Sequence, residues 1–303
     1  MNIHFPASFE GHIAVITDSP AQVPPEIAER DRIVIIPYPV TIGDKGYLDG
    51  VDIQADELYR RMREDKIIPK TSHPSIGEYL DAYRTCIDRG ASGVFYVSLS
   101  AKLSGALATG QEAAALLKNE IPDVRIEVFD SLSATASEGF VAYAAAKAAV
   151  AGASMEELVA IATQARARSG FFAMLDTLEY LALGGRIGRA ASLMGNFLQV
   201  KPILCIQDDG IVSPASVVRS HNRGLDRMIE LVATERHSPS ERLHLAFMDA
   251  DAPDRREELK KRAIERLNPD DTFDVAFTPV MGSHTGPGLV GLAYYYEEST
   301  PEA

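Results

Sequence analysis

Residues 93–129 read GVFYVSLSAKLSGALATGQEAAALLKNEIPDVRIEVF. The run at 93–98 is apolar and short, as a buried strand is, and it ends in a serine-rich turn. Alanine, leucine, glutamine, glutamate and lysine then fill 104–119, the composition of a helix. A second strand-like run follows at 125–129. Strand, helix and strand in this order form the unit of a parallel sheet, because parallel neighbours need a crossover of this length.

The same alternation extends outward. Residues 13–17 predict a strand that ends in Asp18-Ser19-Pro20, residues 25–30 a helix and residues 33–40 a second strand. Asp56 is expected to cap a helix at 57–64, and Ser75 one at 76–88. An alanine-rich helix is expected over 137–150, then one over 155–168 capped by Ser154. A second unit starts at 170–176. It holds a short strand at 203–207, an Asp208-Asp209-Gly210 hairpin turn returning through 211–212, and helices at 222–235 and 253–267 around a strand at 243–249. A glycine-rich stretch, 281–291, precedes a last strand at 292–296. The expected fold class is α/β with two domains, an open parallel-sheet α/β domain over 1–165 and a mixed-sheet α/β domain over 166–303.

With 303 residues, 46% of them hydrophobic, the chain can build a core in each domain. A formal charge of −13 argues against nucleic acid or an anionic membrane surface as the main partner. The two cysteines, Cys86 and Cys205, stand far apart in apolar surroundings, so neither a disulfide framework nor a zinc site is indicated, and no metal or cofactor is expected. No basic-then-apolar leader and no apolar run of membrane-spanning length is present, so the expectation is a soluble, cytoplasmic protein without an integral membrane segment.

In an open α/β sheet, ligands sit beyond the carboxyl ends of the strands. The loops there are rich in hydroxyls: Asp18-Ser19, Ser98 to Gly105, and Asp130-Ser131-Leu132-Ser133, joined by the turn Thr71-Ser72-His73-Pro74-Ser75. Free amides and hydroxyls at helix starts bind anions. Asp18, Asp130, Ser75 and Ser131 are assigned to capping and loop shaping, which leaves Thr71, Ser100 and Ser104 as donors. His284 lies among glycines that keep its ring accessible. Residues 183–188, Leu-Gly-Gly-Arg-Ile-Gly, place Arg186 beside two glycines, and an apolar segment with Leu193, Met194, Phe197, Leu198, Val200 and Leu204 follows. Read alone, that stretch is a helix ending at Gly184, a turn, and an amphipathic helix packed on the core. Read with the hydroxyls, it suggests a ligand with an anionic head and an apolar body. Phosphate-loop, dinucleotide, zinc-protease and serine-elbow signatures are missing, so binding is favoured over bond-making.

These residues resemble the DegV family over essentially the whole chain. The motifs are Thr-Asp-Ser at 17–19, Pro-Lys-Thr-Ser-His-Pro-Ser at 69–75, Ser-Leu-Ser-Ala-Lys-Leu-Ser-Gly at 98–105, Phe-Asp-Ser at 129–131, Leu-Gly-Gly-Arg-Ile-Gly at 183–188, Lys-Pro-Ile-Leu at 201–204 and His-Thr-Gly-Pro-Gly at 284–288. The resemblance implies a non-catalytic, lipid-binding protein of two α/β domains. A long-chain fatty acid would lie between them, its carboxylate on Thr71, Ser72, Ser100, Ser104, Gly105, Arg186 and His284 and its chain in an apolar tunnel. It also implies a partner fatty-acid kinase that makes the acyl phosphate and docks on Val-Val-Arg-Ser-His-Asn-Arg at 217–223, through Arg219 and Arg223. With Arg227 these fall at i, i+4 and i+8, one helix face. Three departures touch the head-group region: His73 where the family has glutamine, Ala106 where it has threonine, and Pro20 where threonine is common. The alternative reading is a phosphotransferase or hydrolase acting on a small phosphorylated substrate, with His284 as base or nucleophile.

Overall fold

The computed structural model describes residues 3–298, except the side chains of 195–199. Its first part runs β1 (Ile13–Asp18), α1 (Pro25–Arg30), β2 (Ile33–Ile36), β3 (Pro39–Ile42), β4 (Lys45–Leu48), α2 (Ala55–Glu64), β5 (Lys70–Thr71), α3 (Ile76–Asp88), β6 (Gly93–Ser98), α4 (Ala106–Glu120), β7 (Arg125–Asp130), α5 (Thr135–Val150) and α6 (Met155–Ala167). Four strands form a parallel sheet in the order β2-β1-β6-β7. Alternate residues of β6 serve its two faces: Val94 and Tyr96 pack with Tyr79, Tyr83 and Leu117 of α3 and α4, whereas Phe95 and Val97 pack with Phe140, Val141 and Leu158 of α5 and α6.

The single strand expected over 33–40 is two strands in two sheets. Pro37 and Pro39 remove the ladder donors on either side of Tyr38, and the Tyr38 N–H turns to Ser19 Oγ at 3.1 Å. β3 then joins β4 and β5 in a small antiparallel sheet. Asp56 is not a cap either: α2 starts at Ala55 behind Gln54, and the Asp56 carboxylate accepts only from the next amide, Glu57 N–H, at 2.8 Å.

The second part runs β8 (Ser169–Met174), α7 (Glu179–Leu183), a 3-10 segment (Gly188–Gln199), β9 (Lys201–Ile206), β10 (Val212–Val218), α8 (His221–Thr234), β11 (Arg242–Asp249), α9 (Pro253–Leu267), β12 (Asp271–Ala276), α10 (Pro279–Thr285) and β13 (Val290–Glu297). Its six strands are ordered β10-β9-β8-β13-β11-β12, and only β11 and β12 run parallel. The fold is therefore α/β with one parallel sheet, one mixed sheet and the small antiparallel sheet of β3, β4 and β5. The stretch after Gly188 is a 3-10 segment rather than an amphipathic α-helix, and the glycine-rich stretch 281–291 contains most of α10.

α5 lies between the sheets, touching β1 on one side and β8 and β13 on the other. Its run of alanines follows from this: a helix buried all round needs small residues to let both sheets approach.

Candidate functional site

In the first sheet the connections leave in opposite directions from β1 and β6, which puts a crevice beyond the ends of these two strands. A cavity of about 330 Å³ opens there, closed on the far side by the second sheet. Ligand pockets start near this size.

One part of its wall is polar. Thr71 ends β5, Ser72 and His73 follow it, Ser104 precedes α4, Arg186 follows α7 and His284 sits on the last turn of α10; all six line the cavity. Thr71 Oγ1 and His284 Nε2 are hydrogen-bonded at 2.7 Å across the two halves of the chain. The ring's other face of contact is fixed by a missing side chain: Nδ1 lies against Gly184, where a Cβ would collide with it, and has no partner among the described residues. Burial, and then the Arg186 charge, hold the His284 pKa down at about 4, so the imidazole is neutral near pH 7. Arg186 donates from Nε to Leu103 O at 3.0 Å and from Nη1 to Gly184 O at 2.5 Å. It thereby ties the 98–105 turn to the end of α7, and its Nη2 has no hydrogen-bond partner among the described residues. Arg186 both lines the cavity and holds neighbouring loops.

The remaining wall is mainly apolar, with Tyr38, Thr135 and Thr285 interspersed. Phe171, Ala173 and Leu175 alternate along and just past β8, while Phe172 and Met174 point into the core under α8 and α9. Leu204 and Ile206 of β9 and Leu99, Leu103 and Ala134 from the first part complete it, with Phe277, Val280, Met281 and Leu289. Cys205 also lines it, and burial pushes its thiol up to about 11.

The structure redistributes the remaining expected residues. Ser100 does not reach the cavity: its hydroxyl is buried and donates to Gly210 O at 2.9 Å, pinning the β9–β10 hairpin. Gly105 stands behind the lining, backing His73, whose Nε2 would be 2.8 Å from any Cβ there. Of the apolar segment after Arg186, Leu204 lines the cavity, Leu193 packs on the core, and Met194 is half exposed because the 3-10 turn aims it outward. Phe197 and Leu198 lie outside the described residues. Arg219 and Arg223 are exposed, but α8 starts only at His221, capped by Ser220, so Arg219 precedes it. Arg227 pairs with Glu230, and the three arginines form no single helical stripe.

Asp18 is no cap. Its carboxylate accepts from the hydroxyls of Tyr96 (2.8 and 2.9 Å), Tyr38 (3.0 Å) and Tyr79 (3.4 Å) and from Leu99 N–H (3.1 Å), behind the cavity wall. Burial pushes its pKa up to about 6 against the pull of these donors. Sequence reasoning missed this cluster and the buried Asp49 as well, since their partners lie far away along the chain.

Among the described residues no helix is long and apolar enough to cross a membrane, and no group of three or more His, Cys, Asp or Glu is placed to hold a metal ion.

The family model described as an uncharacterised protein of the DegV family matches residues 12–297. A DegV domain-containing protein of Streptomyces coelicolor is 33% identical over 282 residues, covering 93% of this chain and 97% of the relative. A fatty-acid-binding DegV family protein of Thermus thermophilus superposes with a TM-score of 0.87 at 26% identity, covering 94% of this chain and 99% of that one. A stearic-acid-binding protein of Eubacterium ventriosum superposes with a TM-score of 0.85 at 27% identity, covering 94% and 98%. A fold shared end to end and a family match spanning nearly all of the sequence place the chain plainly: it belongs to the DegV family.

Proposed function

We propose that this chain binds a long-chain fatty acid, carboxylate toward Thr71, Ser72, Ser104, Arg186 and His284 and acyl chain along the apolar wall. The observation that carries the reading is the pairing, in one cavity, of a guanidinium whose Nη2 has no partner among the described residues with a wall that is mostly apolar. Relatives of the same fold described as fatty-acid-binding support it. Burial of each methylene contributes about 0.8 kcal/mol, so the wall supplies most of the affinity and the polar end the orientation. Charge-assisted hydrogen bonds from Arg186 would hold the carboxylate.

The chain has no catalytic group of its own in this reading; it presents the carboxyl group to a fatty-acid kinase, with exposed Arg219 and Arg223 available to an acidic docking surface. The phosphotransferase reading fits less well. At a pKa of about 4, and with no acidic partner on Nδ1 among the described residues, His284 is a weak general base at neutral pH.

Titration of delipidated protein with stearate and with octadecanol tests the proposal. Stearate is expected to bind about tenfold tighter or better, the worth of one charge-assisted hydrogen bond. Equal affinities, or turnover of a phosphate ester that His284→Ala abolishes, would overturn it.

A further inference from the structure

α10, which carries His284, is seven residues long and begins with Pro279 after Thr278. Threonine in this place ordinarily caps a helix, yet Thr278 makes no cap bond. Pro279 has no N–H, and the Val280 N–H donates to Asp49 Oδ1 at 3.1 Å, across 231 residues. The other oxygen of this carboxyl, Oδ2, accepts from the Ser19 hydroxyl at 2.6 Å. Ser19 Oγ accepts in turn from the Tyr38 N–H at 3.1 Å. Asp49 is only 2% exposed.

These bonds run just behind the cavity. Pro20, next to Ser19, lines it, as do Tyr38, Val280 and His284. One carboxyl group therefore joins three wall segments, and α10 is the one that brings the imidazole to the polar end. A second tether, the Tyr59 hydroxyl donating to Phe277 O at 2.8 Å and packed against Gly282, holds the flank of α10. The helix's amino end rests on Asp49.

We propose that Asp49 is the positioning residue of the polar end, fixing α10 so that His284 meets Thr71. Asp49 touches no ligand and acts through Ser19 and Val280. Removing its side chain leaves the Val280 N–H and the buried Ser19 hydroxyl without their acceptor, and the amino end of α10 must move to find water. Asparagine keeps an acceptor for Val280 and so preserves the helix position. The affinity consequence rests on the fatty-acid reading above; the consequence for the His284 ring does not.

Asp49→Ala and Asp49→Asn test this with two measurements. The first is the ring nitrogen spectrum of His284 in ligand-free protein, assigned by loss of the signal in His284→Gln. The second is the affinity for stearate beside that for octadecanol. Asp49→Ala is expected to shift the His284 ring signals and to weaken stearate about tenfold while moving octadecanol less than about twofold, and Asp49→Asn to restore stearate to within about threefold. Unmoved ring signals, or an equal loss for both lipids, would overturn the proposal, since a merely structural residue would weaken both alike. If Asp49→Ala fails to fold, Ser19→Ala, which removes the Oδ2 bond together with the acceptor of the Tyr38 N–H, carries the same two expectations. If the wild-type protein binds neither lipid, the fatty-acid reading falls while the ring signals still decide the role of Asp49.

Discussion

The polar end of the cavity and its apolar wall are built by different means. Much of the wall follows from local pattern: Phe171 and Ala173 face inward because every second residue of β8 must, and the apolar end of β9 and nearby apolar loop residues fill in around them. The polar end needs support from behind. Thr71 and His284 meet across 213 residues, Gly184 makes room for the ring, and Arg186 spends two donors on backbone carbonyls. Chain length should accordingly be set by the wall, and head-group recognition by contacts that only the tertiary fold creates.

Separate changes at the two ends probe that division. Arg186→Ala is expected to have the largest effect, lowering the affinity for every fatty acid by about 10- to 100-fold whatever its length, as measured by equilibrium titration. A loss that grows with chain length would contradict the division. Ala173→Phe should do the reverse: filling the wall costs stearate about tenfold and decanoate less than about threefold.

The third test concerns pH. Burial and Arg186 hold His284 near 4, below its ordinary 6.5, so between these values the unfolded chain binds a proton that the folded chain does not. The contribution of His284 to stability is thus complete above about 6.5 and is lost as pH falls toward 4. Wild type should therefore lose about 3 kcal/mol of stability relative to His284→Gln across this window, followed by urea denaturation. Asp18 and Asp49, both raised to about 6, push stability the other way, but they are present in both proteins and cancel in the difference.

The smallest effect is expected at Ser100, whose hydroxyl serves the hairpin at Gly210. Ser100→Ala should leave stearate affinity within about twofold and lower stability by about 1 kcal/mol.

Much of the fold was legible because its signals are local. Ser75 and Ser154 start their helices with full capping boxes, as their spacing to Glu78 and Glu157 announces. The parallel sheet followed from the strand–helix–strand rhythm. Thr71, Ser72, Ser104, Arg186 and His284 could be picked out as residue types, and the structure brings them to one cavity. Ser98 to Gly105 shows where such reading stops, for Ser100 and Ser104 look alike in sequence and only contact with the β9–β10 hairpin distinguishes them. Asp18 was misread for the same reason. An aspartate before a turn resembles a cap, and the three tyrosines that bury it come from residues 38, 79 and 96. The break at Pro37 and Pro39 was visible in the sequence, two prolines inside an otherwise strand-like run.

The most direct test is to ask what the protein carries. Native mass spectrometry of the purified chain, followed by organic extraction and identification of the released molecule, should show a long-chain fatty acid in the wild type and a reduced amount in Arg186→Ala. Recovery of only a polar phosphorylated metabolite, or of a fatty acid in equal amount from both proteins, would contradict the assignment of the polar end to a carboxylate.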